Sequence, residues 1–474
     1  MFQSINYFYE EFNFAIVIAI FITVMILIFF NRLYVAFSLV MATFFFKNLS
    51  FELISNIEIW KLSMLVFLIS GLTVNSRWLN GLNYVKTETN FLCLWLIYTL
   101  LMSFIFTLLL AYIDGIGGRY IGFLNNEGRI LTQSIYYLMV FSLLVSPLVT
   151  LYSINNVVNT LMWTAKGVVV LAFLGLFQKL AYDLSGVDIF PINRAGVFDA
   201  EAASLNNMYV SGVRRINSLA GEPKNFAIAL VFCIGLIIFG IKYAFFSIWK
   251  WCGLLAVLLI ALYYTYSTTG FILLIIMAVI YFFSGVKRLK YFFLKLLFLL
   301  PILAIIFAAW KYGEQDAVSF VVGKSDLEVQ DESILEAILE NPIIGIFGVG
   351  AGNIHQIAVN NLPSDFPLFK DKAYKPNSGF LFIISDSGVI GFILLSLGIF
   401  SLIRHAKRIC EKNRGNSYET RLLLYLSDLL LMAFFMFLAR FNEILFVVIG
   451  LLCATIIMVR RSMSTADNNY SRIE

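Results

Sequence analysis

Long runs of apolar residues, separated by short polar segments, follow one another along the whole chain. The runs are continuous over about 17–23 residues, the length a helix needs to cross a bilayer, and lack the alternation of barrel strands. We therefore predict an all-α polytopic membrane protein with about 12–14 transmembrane helices. Thirteen candidate spans can be placed, at residues 12–30, 33–51, 58–74, 91–113, 133–152, 160–180, 225–242, 249–265, 270–285, 291–310, 379–402, 422–438 and 443–459.

The composition excludes a water-soluble enzyme. Of the 474 residues, 60% are apolar and only 13% are charged, whereas about 25% are charged in an ordinary soluble domain. Too little polar surface remains to cover a soluble globule of this size. Because no repeat or low-complexity tract divides the chain, we read residues 1–474 as a single transmembrane domain.

The basic residues indicate how the chain is oriented. If the spans alternate, five basic gaps share one side, and the positive-inside rule makes that side cytoplasmic. The opposite side receives the acidic first dozen residues and two long polar loops, 181–224 and 311–378. The formal charge of +5 is thus a topology signal, and we expect no nucleic-acid partner. The residues in the basic gaps are Arg77, Lys86, Lys242, Lys250, Lys287, Arg288, Lys290, Arg404, Lys407, Arg408, Lys412, Arg414, Arg460 and Arg461.

The first long loop, 181–224, concentrates cations just before a predicted span. A guanidinium is a planar fork that binds two phosphate oxygens and stays charged at physiological pH, so an anionic lipid-linked substrate would fit. In the simpler interpretation, the arginine pair contacts a loop acid (Asp199, Glu201 or Glu222) and anchors the loop at the headgroups. The cations are Arg194, Arg214, Arg215 and Lys224.

Glu222 lies between these cations and the next predicted span. Pro223 suits the first turn of a helix, and an acid at that position complements the helix dipole. A carboxylate placed there is equally suited to act as a base or to orient an arginine. The sequence leaves both roles of Glu222 open.

The second long loop, 311–378, combines an amphipathic segment with a glycine-rich one. Apolar residues recur at helical spacing between Asp331 and Glu340, which predicts a helix that lies along the membrane or over a cavity mouth and ends at Asn341-Pro342. Four glycines between positions 345 and 352 permit tight turns and close backbone approach to a ligand. His355 follows them and is either a general base or a structural hydrogen-bonding group.

Polar residues inside the apolar runs are further candidates, because charges within the bilayer are costly and often functional. Lys179 and Arg440 lie near the external interface, where snorkelling explains them equally well. No metal-binding spacing appears among the two histidines and five cysteines, so we expect no bound metal and no cofactor.

Three segments carry a resemblance to a known family. They are Arg215-x-x-Ser-x-x-Gly-Glu-Pro-x-x-Phe-Ala at 215–227, Glu340-Asn341-Pro342 with the glycines up to Asn353, and Asn377-Ser378-Gly379-Phe380 with Gly388-Val389-Ile390-Gly391. In this order the segments resemble the O-antigen polymerase/ligase superfamily of multi-span glycosyltransferases. The turn at Ser267-Thr268-Thr269-Gly270 is similar to a further element of that superfamily.

The resemblance implies a GT-C-like fold and a metal-independent glycosyltransferase in the bacterial inner membrane, with its active site facing the periplasm. The substrate would be an undecaprenyl-diphosphate-linked oligosaccharide, and the loops 181–224 and 311–378 would be periplasmic. Further expected partners are membrane lipid and a polysaccharide co-polymerase that regulates chain length.

The site residues follow from the cations of the loops and from the resemblance together. We expect Arg215 to be catalytic, with Glu222 or His355 as the base. The expected substrate-binding residues are Arg194, Arg214, Lys224, Lys179, Asn353, Lys375, Asn377 and Arg440.

Two alternatives remain open. Many ligases and some polymerases of the superfamily carry a histidine directly before the Asn-Ser of the third segment, whereas this chain has Lys375-Pro376-Asn377-Ser378. This difference favours a polymerase over an O-antigen ligase. A flippase or transporter is the alternative of a different class, which broken helices and paired halves would favour.

Overall fold

The computed structural model of the protein describes residues 2–47, 50–52, 56–58, 83–112, 126–186, 189, 209–210, 213–283, 329–351, 353–358, 361, 376, 378–412 and 417–470. In these residues the chain is helical apart from two short antiparallel strand pairs, which confirms the predicted helical class. The strands are β1 (Ser50–Glu52), paired with β2 (Asn56–Glu58), and β3 (Tyr209–Val210), paired with β4 (Val213–Arg214).

The described helices follow the predicted spans closely. They are α1 (Phe2–Phe29), α2 (Leu33–Thr43), α3 (Lys86–Tyr112), α4 (Asn126–Thr150), α5 (Ile154–Ser185), α6 (Pro223–Lys242), α7 (Ile248–Tyr264), α8 (Thr268–Phe283), α9 (Val329–Glu340), α10 (Pro342–Phe347), α11 (Ile354–Ala358), α12 (Gly379–Lys412), α13 (Tyr418–Ala439) and α14 (Ile444–Tyr470). Short 3-10 turns occur at Asn83–Val85 and Ser218–Ala220.

Six of these helices are long and apolar enough to cross a membrane, and further apolar helices of 10–17 residues accompany them in the described part of the chain. The protein is therefore a multi-pass helical membrane protein. The predicted span 291–310 lies outside the described residues, and so does 58–74 apart from its first residue. The six long helices contain Thr89–Phe106, Ile154–Ser185, Pro223–Lys242, Gly379–Lys412, Tyr418–Ala439 and Ile444–Met463.

One predicted span is wrong in extent. We expected a helix over 33–51, but α2 ends at Thr43, and Ser50 already belongs to β1. Eleven helical residues extend over only about 16 Å, half the thickness of the hydrocarbon core. The apolar side chains of α2 are buried against α5 instead, where Gly167 lets the two backbones approach closely at Ala42.

The chain divides into two compact units. The first comprises Met1–Asn75, Val149–Ser325 and Ser417–Met432. Its helix α6 is largely buried and packs against α5, α7 and α8. Local signals set its helix ends: the Ser153 hydroxyl accepts a hydrogen bond from the Asn156 N–H at the start of α5, and Pro223 begins α6.

The second unit comprises Ser76–Leu148, Asp326–Asn416 and Ala433–Glu474. Here α14 is the most buried span, and α12 packs along α3. The predicted amphipathic helix is confirmed as α9, which ends at Glu340 before Asn341-Pro342. The short helices α9, α10 and α11 share a small apolar core formed by Ile334, Ala337, Ile344, Val349, Ile354 and Ala358.

The long helix α12 is broken, which the apolar run did not predict. Gly388 has φ 64° and ψ −173°, a conformation that only glycine adopts readily, and the helix changes direction there. The break lets the carbonyl groups of Ser385 and Asp386 accept hydrogen bonds from the backbone N–H groups of Val349 (2.8 Å) and Gly350 (2.9 Å). Backbone polar groups that the break would expose in an apolar setting are thereby paired within the chain.

Candidate functional site

In the first unit, residues 213–222 form a loop that is buried between helices. Arg214, in β4, is 1% exposed, and Arg215 is 6% exposed. The backbone N–H of Ile216 donates to the Tyr264 carbonyl (3.2 Å), which ties the loop to the C-terminal end of α7. We expected these arginines in an external loop at the membrane face. The segment that carries them packs against helices of the first unit, and its location on the external side stays a prediction.

The orientation of Arg215 is set by the end of α7. Its Nε donates to the carbonyl oxygen of Thr265 (2.9 Å), the C-cap residue of that helix. A hydrogen bond to Nε fixes the plane of the guanidinium, and the helix C-terminus carries partial negative charge that favours a cation. The positively charged fork is therefore preorganised.

Burial places a cost on the charge of Arg215. The pKa of its guanidinium is lowered to about 10, mainly because burial desolvates the charge; Glu222 raises this pKa and Arg214 lowers it, and the value includes both effects. Arg215 remains a cation at neutral pH. An anion bound beside the pair would favour both charges, because two adjacent like charges in a desolvated place disfavour each other. The arrangement suits a multiply charged anion such as a diphosphate.

On its other side the loop is held by α5. The side-chain oxygen of Gln178 accepts from the backbone N–H groups of Asn217 (3.1 Å) and Ser218 (2.9 Å), and its Nε2 donates to Asn217 Oδ1 (2.8 Å). The Ser218 hydroxyl donates to the Leu171 carbonyl (2.8 Å). Gln178 was not among our candidate site residues.

The two other predicted residues of this loop contact each other. Lys224 Nζ lies 3.2 Å from Glu222 Oε2, and both side chains are about three-quarters buried. Glu222 precedes α6 without accepting a side-chain capping hydrogen bond from it. Its carboxylate therefore interacts with both Lys224 and Arg215 and does not cap the helix.

Lys179 lies in α5, next to Gln178, and its ammonium group contacts residues outside the arginine loop. Its Nζ forms an ion pair with Asp183 one turn further along α5 and lies 5.8 Å from the centre of the Tyr264 ring. Tyr264 is also the residue whose carbonyl binds the loop backbone at Ile216. Lys179 thus lies beside the arginine loop on the same pair of helices.

In the second unit, the glycine-rich segment approaches the chain's own helices. Gly348 (φ 76°) lies against the backbone at Ser387 and Gly388, and Gly350 (φ 79°) against the backbone at Ser103 in α3. A Cβ atom at Gly348 would lie 2.6 Å from the Gly388 nitrogen. We expected close approach to a ligand at the glycines of this segment. Gly348 and Gly350 instead approach helix backbone, and this packing explains their lack of a side chain.

Asn353 closes this segment. Its Nδ2 donates to the Val349 carbonyl (2.9 Å) and lies 3.5 Å from the Ser103 carbonyl, and the side chain is buried. Arg440 follows α13 and is half-buried, and its carbonyl accepts from Asn442 Nδ2 (2.8 Å). Four predicted site positions are not described as side chains: Arg194, Lys375 and Asn377 lie outside the described residues, and only the backbone of His355 is described, in α11.

Two buried acids escaped our sequence reading. In the second unit, Asp386 is 2% exposed, and its Oδ2 accepts from the hydroxyl of Tyr137 (2.7 Å). In the first unit, Asp428 Oδ2 contacts Lys242 Nζ (2.7 Å) and the Tyr243 hydroxyl (2.7 Å). The sequence could have identified both residues, because each is the one acid within a predicted apolar span, and charges within the bilayer are often functional.

Within the described residues, histidine, cysteine, aspartate and glutamate side chains form no group of three that could hold a metal ion. The cationic groups of the arginine loop are instead suited to an anionic ligand. These observations define a multi-pass helical membrane protein whose first unit holds a buried arginine pair on an anchored loop. Comparisons with models of known protein families and with curated protein sequences find no match.

Proposed function

We propose that the protein is a metal-independent glycosyltransferase of the O-antigen polymerase type in the bacterial inner membrane. Its substrate is an undecaprenyl-diphosphate-linked oligosaccharide, and its product is a longer surface polysaccharide such as O-antigen. The observation that carries the proposal is the buried pair Arg214 and Arg215 in a membrane protein, with the guanidinium of Arg215 oriented by the Thr265 carbonyl. A lipid-linked diphosphate has the two properties that this pair requires, because it is multiply anionic and reaches the site from the bilayer.

In this reaction, the bond between the anomeric carbon and the diphosphate oxygen breaks, and a hydroxyl oxygen of the acceptor glycan bonds to that carbon. The hydroxyl proton passes to a base, and undecaprenyl diphosphate leaves. The arginines stabilise the charge that develops on the leaving group, which is usually the largest contribution of an active site to catalysis.

Glu222 is the candidate base in the first unit. Its carboxylate interacts with Lys224 and with Arg215, so it lies beside the cations that would hold the leaving diphosphate. His355 belongs to the second unit and remains the other candidate. Replacing Glu222 with Gln should lower the rate of transfer more than the binding of the diphosphate, because the amide keeps the size of the side chain and loses its basicity.

The test is a gel of surface glycan from a strain that lacks the protein, complemented with wild type, Arg215→Ala or Arg404→Ala. Arg404 is an exposed arginine of α12 and serves as the matched control. We expect wild type and the control to restore a ladder of long glycan, and Arg215→Ala to leave single repeat units on the lipid core. A normal ladder from Arg215→Ala at equal protein level would refute the proposal. Bare core, with long glycan still on the lipid carrier, would indicate a ligase instead.

The broken helix α12 favours a second candidate function. A discontinuous helix with a buried acid, here Asp386 beside Gly388, is common in transporters. A transporter uses the carbonyl groups at such a break to bind ions. In this chain, however, these carbonyl groups accept hydrogen bonds from the backbone N–H groups of Val349 and Gly350. If the purified protein moves a fluorescent lipid-linked glycan from one leaflet of a proteoliposome membrane to the other, a carrier function is favoured.

A further inference from the structure

Gln178 is a fully buried amide in the C-terminal part of the apolar helix α5. It is 0% exposed, and a buried polar side chain is costly in an apolar setting unless its hydrogen bonds are satisfied. Its carbonyl oxygen accepts two backbone N–H groups of the arginine loop, and its amide nitrogen donates to Asn217 Oδ1. The polar atoms of Gln178 are thus committed to the segment that follows Arg214 and Arg215.

Asn217 extends this connection through the loop. Its Nδ2 donates to the carbonyl groups of Ser218 (3.1 Å) and Gly221 (3.2 Å). Through its hydrogen bond to Asn217, Gln178 therefore stabilises the turn between Arg215 and Glu222. All of these contacts lie in the first unit.

The loop is held in a conformation that its sequence does not favour. Ser218 has φ 51°, in the left-handed region that non-glycine residues rarely adopt. Such a conformation is costly and persists only where the surroundings impose it. Here the bonds from the Ser218 N–H to Gln178 and from the Ser218 hydroxyl to the Leu171 carbonyl impose it.

We propose that Gln178 is a positioning residue for the arginine pair. Its hydrogen bonds to Asn217 and Ser218 fix one side of the loop, as the Thr265 carbonyl fixes Arg215 on the other, so that both guanidinium groups are placed for a diphosphate. This inference rests on the proposed function, because it assigns Gln178 to the anion site of that function. Gln178 itself does not contact the reacting atoms.

The amide is the chemical group that this position requires. It supplies one oxygen that accepts two N–H groups and one nitrogen that donates to Asn217. Methionine has nearly the same length and supplies none of these bonds. Gln178→Met therefore releases the loop while leaving the apolar packing of α5 nearly intact.

The experiment measures binding of farnesyl diphosphate to the purified full-length chain in detergent, by isothermal titration calorimetry. We expect wild type to bind and Arg215→Ala to lose binding. Gln178→Met should weaken binding at least about tenfold, since small displacements of a binding group are costly. The matched control is Thr164→Val, which removes a buried hydroxyl that bonds within α5 (2.9 Å to the Thr160 carbonyl) about 21 Å away along the same helix. It should bind like wild type.

A double variant separates positioning from general stability. In an Arg214→Ala background, Gln178→Met should cause a smaller loss of affinity than it causes in wild type, because only one of the two guanidinium groups that it positions remains. If the losses of binding free energy in the two single variants simply add up in the double variant, the proposal is refuted. If Gln178→Met fails to yield folded protein, Asn217→Ala serves instead: it keeps the two backbone hydrogen bonds to Gln178 and removes the side-chain ones.

The outcomes distinguish this inference from the proposed function. If wild type binds farnesyl diphosphate and Arg215→Ala does not, but Gln178→Met and Asn217→Ala bind like wild type, only the positioning role is refuted. If wild type shows no binding, the diphosphate site is refuted, and the positioning role with it.

Discussion

Removing one partner of the ion pair between Lys242 and Asp428 should strongly destabilise the first unit. The pair joins the C-terminal end of α6 to α13, and the two side chains are only 16% and 10% exposed. The Tyr243 hydroxyl donates to the same carboxylate oxygen, and the Lys242 ammonium lies 4.7 Å from the centre of the Tyr243 ring. Asp428 thus accepts two hydrogen bonds in a nearly desolvated place.

The magnitude follows from these contacts. Asp428→Ala removes two hydrogen bonds to a charged group, each contributing about 1.5–3 kcal/mol, and leaves the Lys242 charge without its carboxylate. Breaking a buried pair from one side typically costs about 3–5 kcal/mol, and we expect that range here. Asp428→Asn keeps an acceptor but loses the charge, so its cost should be about 2 kcal/mol.

The assay is the apparent free energy of unfolding, obtained by titrating the purified protein with SDS. Ser427→Ala is the matched control, because Ser427 is the buried neighbour in α13 and its hydroxyl bonds only to the Leu423 carbonyl of the same helix in the contacts described. We expect a change within about 0.5 kcal/mol for the control. The double variant Lys242→Met with Asp428→Leu should be more stable than Asp428→Ala, because no unpaired charge remains. A value for Asp428→Ala equal to that of the control would refute this reasoning.

Two further predictions concern packing and buried polar contacts. Gly167→Ala should destabilise the first unit by more than about 2 kcal/mol, because the new Cβ would overlap the backbone of Ala42. Gly253→Ala in α7 meets open space and should be neutral or stabilising. SDS unfolding of both variants tests this contrast, and equal stabilities would contradict it. Tyr137→Phe should cost about 1–3 kcal/mol, because it removes a hydrogen bond of 2.7 Å to the buried Asp386 carboxylate. Tyr136→Phe breaks a longer bond of 3.3 Å to Glu443 and should cost less. The same titration compares the two, and a larger loss for Tyr136→Phe would contradict this ranking.

The helices were the predictable part of the fold, and the reason is physical. A backbone inside a bilayer must satisfy its own hydrogen bonds, so an apolar run of sufficient length has one local solution. Residues such as Ser153, Pro223 and Asn341-Pro342 then mark helix ends through their local chemistry. The same reasoning failed where tertiary contacts decide, as at Thr43, where α2 ends early, and at Gly388, where α12 breaks.

The candidate site was predictable by residue type but not by environment. The arginine pair drew attention through its charge, yet its burial depends on contacts between residues far apart in sequence. Arg215 bonds to a carbonyl 50 residues away, and Gln178 to an asparagine 39 residues away. No spacing rule in a single sequence reports such pairings.

We propose that the buried arginine pair stabilises the diphosphate leaving group while glycan is transferred from the lipid carrier. Reconstitution of the purified protein with its substrate tests this role most directly. Purified protein in proteoliposomes is given undecaprenyl-diphosphate-linked repeat units, and chain length and released undecaprenyl diphosphate are measured together. We expect wild type to produce longer chains with one carrier released per bond formed, and Arg215→Ala to produce neither. Arg215→Lys should retain only a small part of the activity, because lysine keeps the charge but cannot form the planar fork. Equal products from wild type and Arg215→Ala, at equal amounts of folded protein, would contradict the claim.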